Sequence, residues 1–223
     1  MLLLAADTSG KHGSIALSRC GPDAACVPIE VVPLDGGTFS AELVPKVAAL
    51  LAKHGLGKRD IAGFAVVSGP GSFTGLRVGL AAIKALAEVF GKPIAAVSLL
   101  EAMAVSGRSQ GKVIAALDAG RGDIYAGQYR VNSSGAHLES ERLLTRLELM
   151  RLAVGCVVVT ADHPLAEEAR GAALQVEEID LPRADTIASL GWKKILTGGT
   201  VLPAELDANY IRRSSEIFSK SSS

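Results

Sequence analysis

Apolar and polar residues alternate along the first half of the chain in a pattern typical of strands followed by helices. Three short apolar runs, separated by polar turns that contain glycine, predict three strands, the first two of them forming a hairpin. In residues 41–54 apolar side chains recur at helical spacing, which predicts a helix that stops at Gly55. The predicted elements are strands at residues 2–6, 14–18, 28–34, 61–67 and 93–97, and helices at residues 41–54, 76–90 and 99–105.

The second half of the chain repeats the opening of the first. LLAAD at residues 3–7 and IAALD at residues 114–118 are both apolar runs that end in aspartate, enter a glycine-containing turn and resume as a strand. One matched hairpin does not exclude coincidence, but strands and helices follow both copies, so we predict a duplicated α/β chain. The second set of predicted elements comprises strands at residues 113–117, 124–129, 156–160 and 174–179, and helices at residues 165–173 and 186–196.

The boundary between the two halves is predicted from a short polar segment. Residues 106–111 read SGRSQG and contain no apolar side chain. We therefore predict one lobe at residues 1–105, a second at residues 112–218 and a disordered polar tail at residues 219–223.

Composition restricts the classes of protein to which the chain can belong. With 48% hydrophobic and 21% charged residues, the chain is expected to bury a substantial core. Its formal net charge of zero argues against binding nucleic acid alone, because phosphate contacts need a basic excess, so any RNA is expected to be held through a partner. Neither a signal peptide nor a membrane-spanning segment is recognisable, and we expect a cytoplasmic protein whose three cysteines are reduced thiols.

A glycine-rich segment contains the most informative motif. Residues 68–79 read SGPGSFTGLRVG and lie between a predicted strand and a predicted helix, where backbone N–H groups and the helix dipole favour an anion. The segment is not a P-loop, because no Gly-Lys-Ser/Thr follows, and no acidic residue ends the next strand as in a dinucleotide-binding fold. Tight helix packing explains Gly75 and Gly79 equally well, since they share a helix face. Both interpretations stay open.

Two aspartates, Asp7 and Asp118, stand at corresponding strand ends. Two such carboxylates facing one cleft could hold a metal–nucleotide, but each could equally close its hairpin as an Asx turn. We prefer the Asx turn, because the rest of a nucleotide site is missing. The four histidines have no metal-ligand spacing, and we predict no metal site.

The chain closely resembles the TsaB (YeaZ) family, whose hallmark is a GPGSFTG segment that runs into a helix. That segment stands here at residues 69–75. Three further stretches share the resemblance, which extends over nearly the whole chain: AADTS at residues 5–9, LDAGRGDIY at residues 117–125 and NYIRRS at residues 209–214.

The resemblance implies an actin-like ATPase fold (ASKHA, ribonuclease H-like) made of two duplicated α/β lobes. It also implies a non-catalytic scaffold that activates the catalytic paralogue TsaD, together with the ATPase TsaE, in forming threonylcarbamoyladenosine at adenosine 37 of tRNA. Such proteins form homodimers alone and heterodimers with TsaD. The resemblance implies no cofactor of the chain's own, while ATP or ADP could bind in the complex. The alternative is an active actin-like kinase or ATPase that binds magnesium nucleotide between its lobes.

Two groups of site residues follow from the resemblance and from the helix pattern. The predicted partner interface lies on the two first-lobe helices and comprises Leu43, Val47, Leu50, Gly75, Leu76, Gly79, Ala82 and Ile83. A phosphate or nucleotide contact within the complex is predicted at Gly71, Ser72, Phe73, Thr74 and Arg77. The chain departs from the family before the first helix, where relatives commonly have a His-Ser pair and this chain has Phe39-Ser40.

Overall fold

A computed structural model describes residues 1–211, which contain ten strands and six α-helices. Arg212, Arg213 and Ser214 of the late motif and the predicted tail lie outside the described residues. The strands are β1 (Leu2–Asp7), β2 (His12–Cys20), β3 (Cys26–Asp35), β4 (Ile61–Gly69), β5 (Ile94–Ser98), β6 (Gly111–Gly120), β7 (Asp123–Asn132), β8 (Gly135–Thr145), β9 (Val157–Thr160) and β10 (Gln175–Glu178). The helices are α1 (Phe39–Lys53), α2 (Phe73–Phe90), α3 (Leu99–Ser106), α4 (Arg146–Leu152), α5 (His163–Gly171) and α6 (Ala184–Leu196).

The two halves of the chain build the same sheet twice. The first sheet has the strand order β3-β2-β1-β4-β5, and the second has β8-β7-β6-β9-β10 when read in the same direction. In both sheets the first three strands are antiparallel and the last two run parallel to the first. The predicted duplication and the two-lobed α/β fold class are therefore confirmed.

Two elements of the second half have no counterpart among the predictions. Strand β8 has no fully buried residue, and its sequence accordingly lacks the continuous apolar run that marked the other strands. Helix α4 is only seven residues long, too short for helical periodicity to be detected. A capping box between Thr145 and Glu148 starts this helix, and that signal was available in the sequence.

The third helix of each repeat packs on the sheet of the other repeat. The chain forms two compact units, and helix α6, predicted in the second lobe, belongs to the first, which comprises Met1–Leu99 and Pro182–Asn209. It lies against β1, β2, β4 and β5, where a Cβ on Gly191 would be only 2.3 Å from the Cβ of Ala65. Conversely, Leu100 of α3 belongs to the second unit and packs beside Gly127 of β7. The helical pattern predicted both helices but could not indicate which sheet each one covers.

The β2–β3 hairpin corrects the expectation for two of the cysteines. Cys20 and Cys26 are register partners across the hairpin and are joined by a disulfide, whereas Cys156 is free. Trp192 of α6 donates its indole N–H to the carbonyl of Gly21 at 2.7 Å and so anchors the hairpin turn.

The helices of residues 1–211 include none that is both long and apolar enough to cross a bilayer.

Candidate functional site

The candidate site is built around the glycine loop, which we define as residues 68–75 between β4 and the first turn of α2. Ser72 is the N-cap of α2, and its hydroxyl accepts a hydrogen bond from the backbone N–H of Gly75 at 3.3 Å. Gly69 and Gly71 have φ angles of +132° and +157°, a region that side chains disfavour. The sequence of the loop therefore follows from its backbone conformation and from the helix that it starts.

The glycine loop packs tightly against the turn that follows β1. The N–H of Ser72 donates to the carbonyl of Ser9 at 2.6 Å, and the hydroxyl of Thr8 donates to the carbonyl of Gly75 at 2.7 Å. A Cβ on Gly75 would lie 2.1 Å from the carbonyl oxygen of Thr8, and one on Gly79 would lie 2.2 Å from its hydroxyl oxygen. These glycines are thus used for packing within the first unit, as one of the two interpretations of the motif proposed.

A cavity of about 620 Å³ opens beside this contact, within the first unit. The N-terminal turns of α1 and α2 both border it, the first through Ser40 and the second through Ser72 and Thr74. Its other polar lining residues include Lys11, His12 and Asp35, which sequence reasoning missed. The glycine-containing turns beside them, at residues 10–13 and 35–37, were recognised only as chain reversals.

The predicted phosphate-contact residues are divided between this cavity and the surface next to it. Ser72 and Thr74 line the cavity, whereas Gly71 faces Ser9, to whose carbonyl oxygen a Cβ would come within 2.4 Å. Phe73, the first residue of α2, is 55% exposed, and the guanidinium carbon of Arg77 lies 3.7 Å from the centre of its ring. Phe73 and Arg77 therefore form an exposed cation–π pair one turn into the helix.

Phe39 is the first residue of α1 and stands where the family resemblance predicted a histidine. Its side chain is buried, lines the cavity and lies against Gly13, where a Cβ would be 3.0 Å from the phenyl ring. The residue is therefore part of the core and contributes one apolar wall of the cavity.

Asp7 closes a buried turn at the end of β1. Its Oδ1 accepts hydrogen bonds from the N–H of Ser9 at 2.8 Å and from the hydroxyl of Ser9 at 2.6 Å. Burial raises the pKa of Asp7 above its ordinary value, and the two bonds from Ser9 oppose that rise without cancelling it. This geometry is the Asx turn that the sequence analysis preferred.

Asp118 lies in the second unit and is half-exposed. Its Oδ1 is 3.5 Å from the guanidinium of Arg146, which also pairs closely with Glu168. Those two carboxylates and the more distant Asp162 raise the pKa of Arg146, with the Glu168 hydrogen bond as the main cause. The charge of Asp118 is thus partly balanced by a neighbouring side chain. Among residues 1–211, no three His, Cys, Asp or Glu side chains are grouped so that they could hold a metal ion.

The structure corrects the predicted partner interface. Seven of its eight residues are buried within the first unit, and Ala82 is half-buried. The pattern had identified the apolar face of each helix correctly, but that face packs on the sheet and on the neighbouring helix. In this conformation the buried residues cannot contact a partner; they are Leu43, Val47, Leu50, Gly75, Leu76, Gly79 and Ile83.

The opposite faces of the same two helices are exposed and unusually apolar. Helices α1 and α2 contact each other, and all the exposed alanines of the described α-helices lie on these two. Val44 is 48% exposed and Val89 is 75% exposed. We call this surface the outer face and define it as Ala41, Val44, Pro45, Ala48, Ala49 and Ala52 of α1 with Ala81, Ala85 and Val89 of α2. The recurrence of small residues at helical spacing was a signal by which the sequence could have indicated this surface.

Known proteins similar to this chain share most of its length. The protein of Escherichia coli strain K12 called tRNA threonylcarbamoyladenosine biosynthesis protein TsaB is 30% identical over an alignment of 225 positions, which covers 95% of each chain. The chain belongs to the TsaB (YeaZ) family. A Bacillus subtilis TsaB is 37% identical over 131 residues, a match that covers 58% of this chain and 56% of that protein.

Two further comparisons agree with membership of the TsaB family. A sequence model of TsaD, described as tRNA N6-adenosine threonylcarbamoyltransferase, matches residues 32–186, as expected if TsaB and TsaD are paralogues. A Pseudomonas aeruginosa crystal structure, described as an uncharacterized protein with similarity to peptidase YEAZ, superposes with a TM-score of 0.77 at 26% identity. That superposition covers 95% of this chain and 99% of the other. The actin-like fold class is therefore confirmed.

Proposed function

We propose that this chain is the non-catalytic subunit that binds and activates TsaD, together with TsaE, in forming threonylcarbamoyladenosine at adenosine 37 of tRNA. Its family supports a role in threonylcarbamoyladenosine biosynthesis, because a relative aligned over 95% of both chains is named for that pathway. The TsaD sequence model matches residues 32–186, which include parts of both units, and this match supports a paralogous partner.

The observation on which the partner-binding proposal depends is the outer face of α1 and α2. A surface helix normally turns polar side chains toward water. On α1 and α2 the larger apolar side chains are buried in the core, yet the solvent-facing side of both helices still exposes alanine and valine. Small side chains let a second pair of helices approach closely, because the distance between helix axes depends on the side chains at the contact. A specific interface buries about 800 Å² on each partner, an area for which two helices of this length provide enough surface.

The same outer face is proposed to hold the homodimer when TsaD is absent. A two-fold dimer uses one self-complementary patch on both copies, so the TsaD complex and the homodimer would compete for a single surface. Added TsaD should therefore convert the homodimer into a heterodimer, without any species that contains two copies of this chain and one of TsaD. Sedimentation velocity on mixtures of the two proteins measures this conversion.

The non-catalytic part of the proposal is supported by what the two aspartates do. Asp7 is engaged by Ser9 in a buried turn, and Asp118 is paired with Arg146. Each carboxylate thus has a hydrogen-bonding or ion-pair partner within its own unit. The competing kinase hypothesis predicts tight binding of magnesium ATP by the isolated chain and its loss in Asp7→Ala, which calorimetry can test.

Nucleotide contact is proposed only within the complex. The cavity beside the glycine loop borders two helix N-termini, and the Phe73–Arg77 pair lies next to it on α2. Calorimetry with ATP and ADP should therefore show binding to the complex with TsaD and little binding to this chain alone. An Arg77→Ala variant should weaken the binding to the complex if Arg77 contacts the nucleotide.

The decisive experiment is reconstitution with TsaD, TsaE and the enzyme that supplies the threonylcarbamoyl group. Mass spectrometry of tRNA nucleosides should detect the modified adenosine only when this chain is present, and the chain should co-purify with TsaD. Formation of the modified base by this chain without TsaD, or full TsaD activity without this chain, would contradict the proposal.

A further inference from the structure

The glycine loop is held from a second side by a segment distant in sequence, residues 201–209, which we call the C-terminal strap. The N–H of Asn209 donates to the carbonyl of Ser68 at 2.7 Å. The carbonyl oxygen of Asn209 lies so near Gly69 that a Cβ there would be 2.8 Å away. The first two residues of the loop are therefore in direct backbone contact with the strap.

The strap is itself fastened to the first unit at two points before it reaches the loop. The N–H of Val201 donates to the carbonyl of Ile94 at 2.9 Å, forming an isolated antiparallel bridge to β5. Leu206 is buried, and the short 3-10 helix Pro203–Glu205 packs on α2. These anchors fix where Asn209 meets the loop.

We infer that Asn209, through its backbone N–H, is a positioning residue for the glycine loop and the first turn of α2. The turn after β1 holds the loop at Ser72 and Gly75, whereas Asn209 holds it at Ser68. Since β4 ends at Gly69, the strap controls the point at which the chain leaves the sheet to enter the loop. Loss of this contact should loosen residues 68–75 while β4 and the body of α2 stay formed.

Three single variants separate the hydrogen bond from other effects at this position. Asn209→Pro removes the N–H donor. Asn209→Ala keeps the backbone donor and truncates the exposed side chain. Ala208→Pro places the same ring one residue earlier, where the lost N–H is bonded only to the adjacent Asp207 side chain.

Hydrogen exchange of the isolated chain measures the effect directly, with the thermal midpoint as a check on global stability. In Asn209→Pro the hydrogen-bonded loop amides of Ser72 and Gly75 should exchange about tenfold faster, the factor expected for the loss of one hydrogen bond. Ala208→Pro should exchange like the wild type, and Asn209→Ala should speed exchange less than Asn209→Pro does. Unchanged exchange in Asn209→Pro, an equal increase in Ala208→Pro, or an increase spread over β1 and β4 would each overturn the inference.

A second measurement rests on the proposed function and extends the inference to the partner. Because the loop starts α2, Asn209→Pro should weaken TsaD binding severalfold, and Asn209→Ala should weaken it less. If the wild type does not bind TsaD, the proposed function fails while the exchange result still stands. If the wild type binds and exchange changes without any loss of affinity, the loop is positioned by the strap but is not needed by the partner.

Discussion

Ala48 lies in the middle of the outer face of α1, and replacing it with arginine tests the docking proposal most directly. Ala48 is exposed, and arginine is nearly as good a helix former as alanine. The free energy of unfolding of the isolated chain should therefore change by no more than about 0.5 kcal/mol. In a complex that covers Ala48, the guanidinium would be buried among small apolar side chains without a counter-ion.

The expected loss of affinity follows from that burial. Leaving an unpaired charge in an interface costs about 2–5 kcal/mol, and 1.4 kcal/mol is a factor of ten in the dissociation constant. Taking about 3 kcal/mol, Ala48→Arg should weaken TsaD binding roughly 100-fold. Calorimetry or surface plasmon resonance measures the affinity, and sedimentation velocity should show the homodimer weakened by the same substitution.

The matched control is Ala172→Arg at the C-cap of α5 in the second unit, where the alanine is also exposed. A cation is favourable at a helix C-terminus, so this variant should fold and bind TsaD like the wild type. Wild-type affinity of Ala48→Arg would refute the placement of the interface. An equal loss in Ala172→Arg would show that added charge, and not the outer face, disturbs binding.

Three further predictions concern the turn after β1 and a loop of the second unit. Because the folded-state pKa of Asp7 is raised, the folded chain binds more protons than the unfolded chain between the ordinary value of 3.8 and the folded value, so stability falls as pH rises through that window. Asp7→Asn keeps the Oδ1 acceptor, and its urea unfolding should show this fall removed and stability near neutral pH increased. An unchanged pH profile of stability would contradict the assignment of the raised pKa to Asp7. Gly79→Ala should destabilise the chain by about 1–3 kcal/mol, because the new Cβ would meet the hydroxyl of Thr8. In a double-mutant cycle, Thr8→Ala should remove most of that added cost, whereas additive effects of the two substitutions would argue against the contact. The carboxylate of Glu177 accepts hydrogen bonds from the backbone amides of Arg108 and Ser109 at 2.6 and 3.1 Å, so Glu177→Ala should speed hydrogen exchange of these two amides. Glu167 is exposed, and Glu167→Ala is the control that should leave their exchange unchanged. Equal exchange in both variants would contradict the prediction.

The predicted and observed sites differ most at α1 and α2, and the reason is geometric. Helical periodicity identified Leu43, Val47 and Leu50 as one apolar face, and that face is buried. Periodicity cannot distinguish an apolar face that covers the chain's own sheet from one that awaits a partner. The outer face was overlooked because alanine contributes weakly to an apolar pattern, and its significance appears only when larger neighbours are seen to be used in the core.

Local sequence was sufficient wherever a feature depends on neighbouring residues alone. Most strand and helix periods, the glycine loop and the Asx turn at Asp7 were predicted in this way, because hydrogen-bond geometry and burial act over a few residues. The repeat between the halves was found by comparing two such local patterns. Tertiary structure alone decided which sheet α3 and α6 cover, why Gly79 must lack a side chain opposite Thr8, and how Asn209 meets Ser68. Those contacts join positions far apart in the chain, and their partners are selected by packing of the whole unit, which no local pattern records.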